Sequence, residues 1–148
     1  ATTEIYTLSL HDALPVLGPT VDPRVAMLAG EAGEGFIAAY WAYYPDSDEP
    51  GPTLYRELCE KNNVPEKMRG PYHYYGFATA NVLVEGLRKA GRYPTRERLV
   101  SGLESLKNWN NGAFPPITYS RNDHAGVESV ILLQLQGGKQ VAISDLLD

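Results

Sequence analysis

Three histidines, one cysteine and ten tyrosines are the side chains with most chemistry to offer. His11, His73 and His124 lie far apart in the chain, and none stands at the spacing of a metal-ligand set. His124 follows Asp123, but Asp and Asn at such turn positions hydrogen-bond their own backbone, so a structural role is expected there. Cys59 is alone, which excludes an internal disulfide and any cysteine-based zinc knuckle; with no paired base or second thiol suggested nearby, it is expected in the core. No G-x-S-x-G elbow, H-E-x-x-H pair or G-x-x-x-x-G-K-[ST] loop occurs. The string Gly30 to Gly35, GEAGEG, would present Glu31 and Glu34 to any phosphate, and so fails as an anion loop. Little in this inventory supports bond-making chemistry, and nothing calls for a metal or cofactor. The tyrosines are more informative. Tyr40, Trp41, Tyr43 and Tyr44 form one cluster, and Tyr72, Tyr74 and Tyr75 form another just before a strong helix pattern. Phenol hydroxyls beside the free N–H groups of a helix N-terminus could hold the carboxylate of a small ligand. Equally, the rings could cover apolar faces with their hydroxyls outward. Trp109, in a polar stretch, is open to both readings.

The rest of the composition bounds the partners. The chain has 148 residues, 43% hydrophobic and 21% charged, which is enough for a globular core and too apolar for disorder. Eighteen acidic against thirteen basic residues give a net charge of -5, with no Lys/Arg run to neutralise a track of phosphates, so nucleic acid is excluded as the expected partner. No stretch approaches 18 consecutive apolar residues, and the first residues lack the pattern of a signal peptide.

The elements that must position the aromatics follow from pattern. Ile5–Leu10 could form an edge strand ahead of Pro15. Asp22-Pro23 is a helix start, cap then proline at the first turn, predicting a short helix that stops at Gly30. Gly35 to Tyr44, apolar on both faces and closed by Pro45, predicts a strand covered on both sides, and with it an α/β fold. Pro52–Asn62 predicts a helix with Leu54, Leu58 and Cys59 on its inner side. The longest helix is predicted from Pro71 or Tyr72 to Gly91, with Gly76, Ala80, Leu83, Leu87 and Ala90 as its packing stripe and its small N-terminal residues allowing close approach. Thr95 is the predicted cap of a second helix burying Leu99, Leu103 and Leu106. Asn108–Pro116 reads as a solvated connection. Ile117–Ser120, a turn over Arg121–Gly126, Val127–Gln136, a Gly137-Gly138 turn and Lys139–Ile143 predict three successive antiparallel strands closing in a hairpin.

Three passages carry a resemblance: Leu28–Tyr40 (LAGEAGEGFIAAY), Gly76–Gly91 (GFATANVLVEGLRKAG) and Ile117–Lys139 (ITYSRNDHAGVESVILLQLQGGK). In this order and spacing they resemble the C-terminal part of the type I periplasmic substrate-binding proteins, in particular the branched-chain amino acid receptors of ABC transporters. The resemblance runs from about Val16 to the end. Before it, the string TLSLHDALP resembles the translation of a sequencing adapter, so residues 1–15 are expected to be a non-native leader and residues 16–148 a portion of a binding protein. The resemblance implies an extracytoplasmic, non-enzymatic α/β protein, here part of one lobe, that closes around a small polar solute such as an amino acid and presents it to a membrane permease. It places Thr20, in the Gly18-Pro19-Thr20 turn, and Tyr75 as hydroxyl contacts, Phe77 as an apolar wall and Tyr40 as a further ligand-binding candidate. No carboxylate stands at residues 18–20, which departs from the family's amino-group contact. A face left bare by a missing lobe would favour self-association. A sensing domain of the same architecture, or an unrelated α/β enzyme domain, are the alternatives at this point.

Overall fold

The computed structural model describes residues 15–17, 22, 24 and 28–147. The possible strand at Ile5–Leu10, most of the helix after Asp22 and the contact candidate Thr20 lie outside the described residues. Two compact units emerge, one from the described residues up to Tyr40 together with Val130–Leu147, the other from Trp41–Ser129.

The first unit is a four-stranded sheet in the order β1-β2-β5-β6, built from β1 (Pro15–Leu17), β2 (Ile37–Tyr40), β5 (Ile131–Gln136) and β6 (Lys139–Ala142). β1 runs parallel to β2, and β2 pairs antiparallel with β5 in the register Ile37 to Gln134 and Tyr40 to Ile131. Alternate residues of β5, Ile131, Leu133 and Leu135, are buried, as period-two patterning requires. Gly137 and Gly138 take φ of 57° and 77° and close the predicted hairpin to β6. Asp22 acts as the expected cap: its carboxylate accepts the Arg24 backbone N–H at 2.8 Å. The Arg24 guanidinium hydrogen-bonds the same group and holds its pKa below the usual value. Gly30–Gly33 then forms a 3-10 turn.

The strand predicted over Gly35–Tyr44 is shorter than expected. It ends at Tyr40, and Trp41–Tyr44 leave the sheet. Both-face apolarity identified a buried segment but not where its pairing stops.

The second unit contains α1 (Pro50–Lys61), α2 (Pro71–Ala90), α3 (Arg96–Glu104) and a two-stranded sheet of β3 (Thr118–Ser120) with β4 (Asp123–Gly126). Pro50 and Pro71 each open a helix at a position whose N–H would be orphaned anyway. Gly91 stops α2, and the Thr95 hydroxyl caps α3 by accepting the Arg98 N–H at 3.3 Å. α2 and α3 pack closely through two glycines. A Cβ on Gly102 would lie 2.6 Å from the Gly86 carbonyl oxygen, so only a bare α-carbon fits at the crossing.

Several sequence expectations are corrected. α1 buries Pro52, Tyr55 and Cys59 and leaves Leu54 and Leu58 exposed. α2 buries Tyr74, Ala78, Val82, Gly86 and Ala90, so of the predicted stripe only Ala90 is inside; Leu83 is 47% exposed and Gly76 has open space around it. α2 carries apolar residues on two faces, and periodicity cannot say which one this unit covers. α3 buries Gly102 most fully, while Leu106 lies just past its end, also buried. Asp123–Gly126 is a strand rather than part of a turn. It pairs with Thr118–Ser120 in this unit while β5 and β6 belong to the other, so the three strands do not form one meander.

The loop expected near solvent is instead the centre of the core. Gly112–Pro115 are buried and Ala113 is fully enclosed. Side chains and helix ends replace the missing water: Asn110 and Asn111 accept the Gly112 and Ala113 N–H groups at 2.7 and 3.0 Å, the Gly112 carbonyl takes the Gly51 N–H at 3.2 Å, and the Ala113 carbonyl takes the Tyr74 hydroxyl at 2.8 Å.

Candidate functional site

The aromatic residues of the second unit converge at the start of α2. Tyr74 makes an edge contact with Tyr55, ring centroids 5.2 Å apart, and Phe77 lies 5.6 Å from Tyr55 and 6.1 Å from Tyr74. Tyr55 in turn shares a 2.9 Å hydrogen bond between its hydroxyl and His73 Nδ1. Cys59 is buried beside this cluster as expected of a core residue. The structure therefore uses Tyr55, Tyr74 and Phe77 chiefly as packing.

Burial raises the Tyr74 phenol well above its ordinary pKa, with Tyr43 and Glu49 adding to it; burial also raises Tyr55, reinforced by Cys59. Their folded pKa values exceed the unfolded value of 10.0. The unfolded chain thus loses these protons first, and stability falls as pH rises through about 10 and beyond. Chemical-denaturant midpoints measured from pH 8 to 11.5 are expected to stay level up to about pH 9.5 and then drop, with Tyr74→Phe flattening the decline.

Beside this cluster the arrangement differs. Tyr75 is half-buried and stacks on Trp41, centroids 5.7 Å apart and planes within 10°. Trp41 is 37% exposed and also lines a cavity of about 560 Å³, whose walls include Thr79, Leu83, Leu103, Phe114 and Tyr119. This is a mainly apolar concavity with two hydroxyls and an indole edge, a chemistry suited to holding a small molecule by shape. A smaller hollow of about 240 Å³ adjoins Leu103 and Tyr119; His124 Nε2 meets Glu104 Oε1 there at 3.1 Å. Asp123 Oδ1 accepts the Ala125 N–H at 2.9 Å, the local backbone role expected for that residue.

Of the four contact candidates, Tyr75 and Phe77 fall in the second unit, with Tyr75 at the stacked pair and Phe77 in the aromatic core. Tyr40 belongs to the first unit, where it is buried in β2 and its hydroxyl accepts a hydrogen bond from Gln140 Nε2 at 2.9 Å. Thr20 lies outside the described residues. The pairing of Trp41 with Tyr75 was invisible to spacing arguments, because 34 residues separate them; the shared signal was only that each stood in an aromatic cluster. Among the described residues, no group of three or more His, Cys, Asp or Glu could hold a metal ion, and no helix is long and apolar enough to cross a membrane.

The helices, the four-stranded sheet that ends in the β5–β6 strand pair, and a cavity walled by aromatic and apolar side chains make this an α/β chain. The chain belongs to the periplasmic binding protein family, whose model matches residues 8–140. Solved structures share the fold. The branched chain amino acid ABC transporter from Thermus thermophilus, solved with bound valine, matches 97% of this chain with a TM-score of 0.83 at 24% identity. A leucine binding protein from Thermotoga maritima matches 98% with a TM-score of 0.68 at 21% identity. A fatty acid ABC transporter substrate-binding protein from Thermomonospora curvata matches 98% with a TM-score of 0.72 at 18% identity. The chain spans 41%, 40% and 39% of these three proteins, respectively. No curated protein sequence matches it.

Proposed function

We propose that residues 16–148 form the later part of an extracytoplasmic, non-catalytic solute-binding component of an ABC importer, working by closure around a small polar solute and delivery to a membrane permease. The observation that carries this reading is the family match over residues 8–140. Structural relatives that are a branched chain amino acid transporter with bound valine and a leucine binding protein support an amino acid as the solute, while a fatty acid transporter's binding protein supports a site tolerant of apolar tails. The stacked Trp41 and Tyr75 rings fit either, since flat rings pack against aliphatic chains, and Thr79 and Tyr119 in the wall of the cavity beside Trp41 carry hydroxyls for a polar head.

Tryptophan emission tests this assignment. Trp41 and Trp109 are the two tryptophans, so Trp109→Phe isolates Trp41 as the reporter. In the protein made from the complete gene, a saturable emission change on adding the bound solute, abolished by Tyr75→Ala, is the expected result. Solute binding that leaves Trp41 emission untouched removes Trp41 and Tyr75 from the site.

A further inference from the structure

The connection between α2 and α3 carries charge that local structure does not call for. Residues 88–98 contain Arg88, Lys89, Arg92, Arg96 and Arg98 against one carboxylate, Glu97, in a chain whose net charge is -5. All five cations are exposed. Two of them suit their places: Arg88 and Lys89 stand in the last turn of α2, where helix carbonyls favour positive charge, and Arg88 also faces Glu85 at 3.6 Å. The others do not. Arg96 and Arg98 occupy the first turn of α3, where the helix dipole disfavours a cation, although the Arg98 guanidinium also donates to the Tyr93 carbonyl at 3.1 Å. Arg92 serves neither helix and lies over the Tyr93 ring, 5.6 Å from its centroid. Tyr93 itself is 70% exposed.

We propose that this turn is a docking surface for an anionic phospholipid membrane. The proposal rests on the solute-binding reading, which brings the protein beside a membrane permease. Charge complementarity carries it: a compact group of cations, held at one end of a helix pair closely packed at Gly86 and Gly102, stands apart from an otherwise acidic chain. An exposed tyrosine among the cations adds an amphipathic ring of the kind that settles at headgroup level. A cavity of about 440 Å³ between the same two helices, with Lys89, Arg98 and Ser101 in its wall and the carboxylate Glu97 beside them, offers room for a headgroup.

Co-sedimentation of the 148-residue chain with vesicles tests the proposal, comparing phosphatidylglycerol–phosphatidylcholine mixtures with phosphatidylcholine alone. The chain is expected to sediment with the anionic vesicles at low salt and to be released at about 0.5 M salt, where surface charge is screened. Arg92→Gln and Arg96→Gln each weaken this binding about fivefold, while their melting curves match the parent because both side chains are exposed. Equal sedimentation with neutral vesicles overturns the proposal, as does undiminished binding by the double variant. Absence of sedimentation with either vesicle also overturns it and points to an acidic protein surface as the partner. None of these failures touches the solute-binding reading, which is measured separately by calorimetry.

Discussion

Replacing Gly51 by alanine destabilises the chain by about 3 kcal/mol, at the upper end of ordinary overpacking costs. A Cβ there would stand 2.5 Å from Ala113 Cα, Ala113 N and the Gly112 carbonyl oxygen, all backbone atoms with no rotamer to give way. The same loop segment is enclosed and tied to Gly51 through the hydrogen bond from its N–H to Gly112, so relief requires α1 to back away and break that bond. Thermal melting is expected to fall by roughly 6–12 °C. Gly76→Ala is the internal control. Its Cβ would meet nothing within 4 Å, and alanine in the interior of α2 gains about 0.5–1 kcal/mol of helix propensity. Opposite signs for two Gly→Ala changes follow only if the buried loop sits where the structure places it.

Tyr74→Ala costs about 3–5 kcal/mol, the range for removing a large ring from a core. Tyr74 is fully buried and touches Tyr55, Tyr75 and Phe77, while its hydroxyl donates to the Ala113 carbonyl. Tyr74→Phe separates the two contributions. It keeps the ring and loses the hydrogen bond, and the cost is about 1–1.5 kcal/mol because the Ala113 carbonyl still receives the Tyr43 N–H at 3.3 Å. Denaturant titration of both variants reads the difference directly. Equal losses for alanine and phenylalanine would show that the hydroxyl, and not the ring cluster, holds α2 to the loop.

These two positions also show what was legible in the chain and what was not. The boundaries of α2 were readable because Pro71 and Gly91 act through their own backbone constraints, and the hairpin at Gly137-Gly138 was readable for the same reason. The α/β class followed from the both-face apolarity of Gly35–Tyr44, which marks a strand covered on both sides. The covered face of α2 was not readable: Leu83 and Leu87 repeat as well as Val82 and Gly86 do, and only the neighbours decide between them. The burial of Gly112–Pro115 was hidden because polarity in NWNNGAFPP suggested water, whereas Asn110 and Asn111 spend their polarity on the buried backbone. Tyr75 and Trp41 each stood in a legible aromatic cluster, but their stacking across 34 residues leaves no trace in local spacing.

Calorimetric titration of the protein made from the complete gene, beside the 148-residue chain, tests the central claim most directly. The titrants are the twenty amino acids and short fatty acids. The complete protein is expected to bind one of these at a single site with a micromolar or tighter Kd, about -8 kcal/mol, and Trp41→Ala is expected to weaken it about tenfold. The 148-residue chain, spanning about two fifths of its solved relatives, is predicted to bind no better than about millimolar. Micromolar binding by the 148-residue chain alone, or no heat from the complete protein across the whole set, would contradict it.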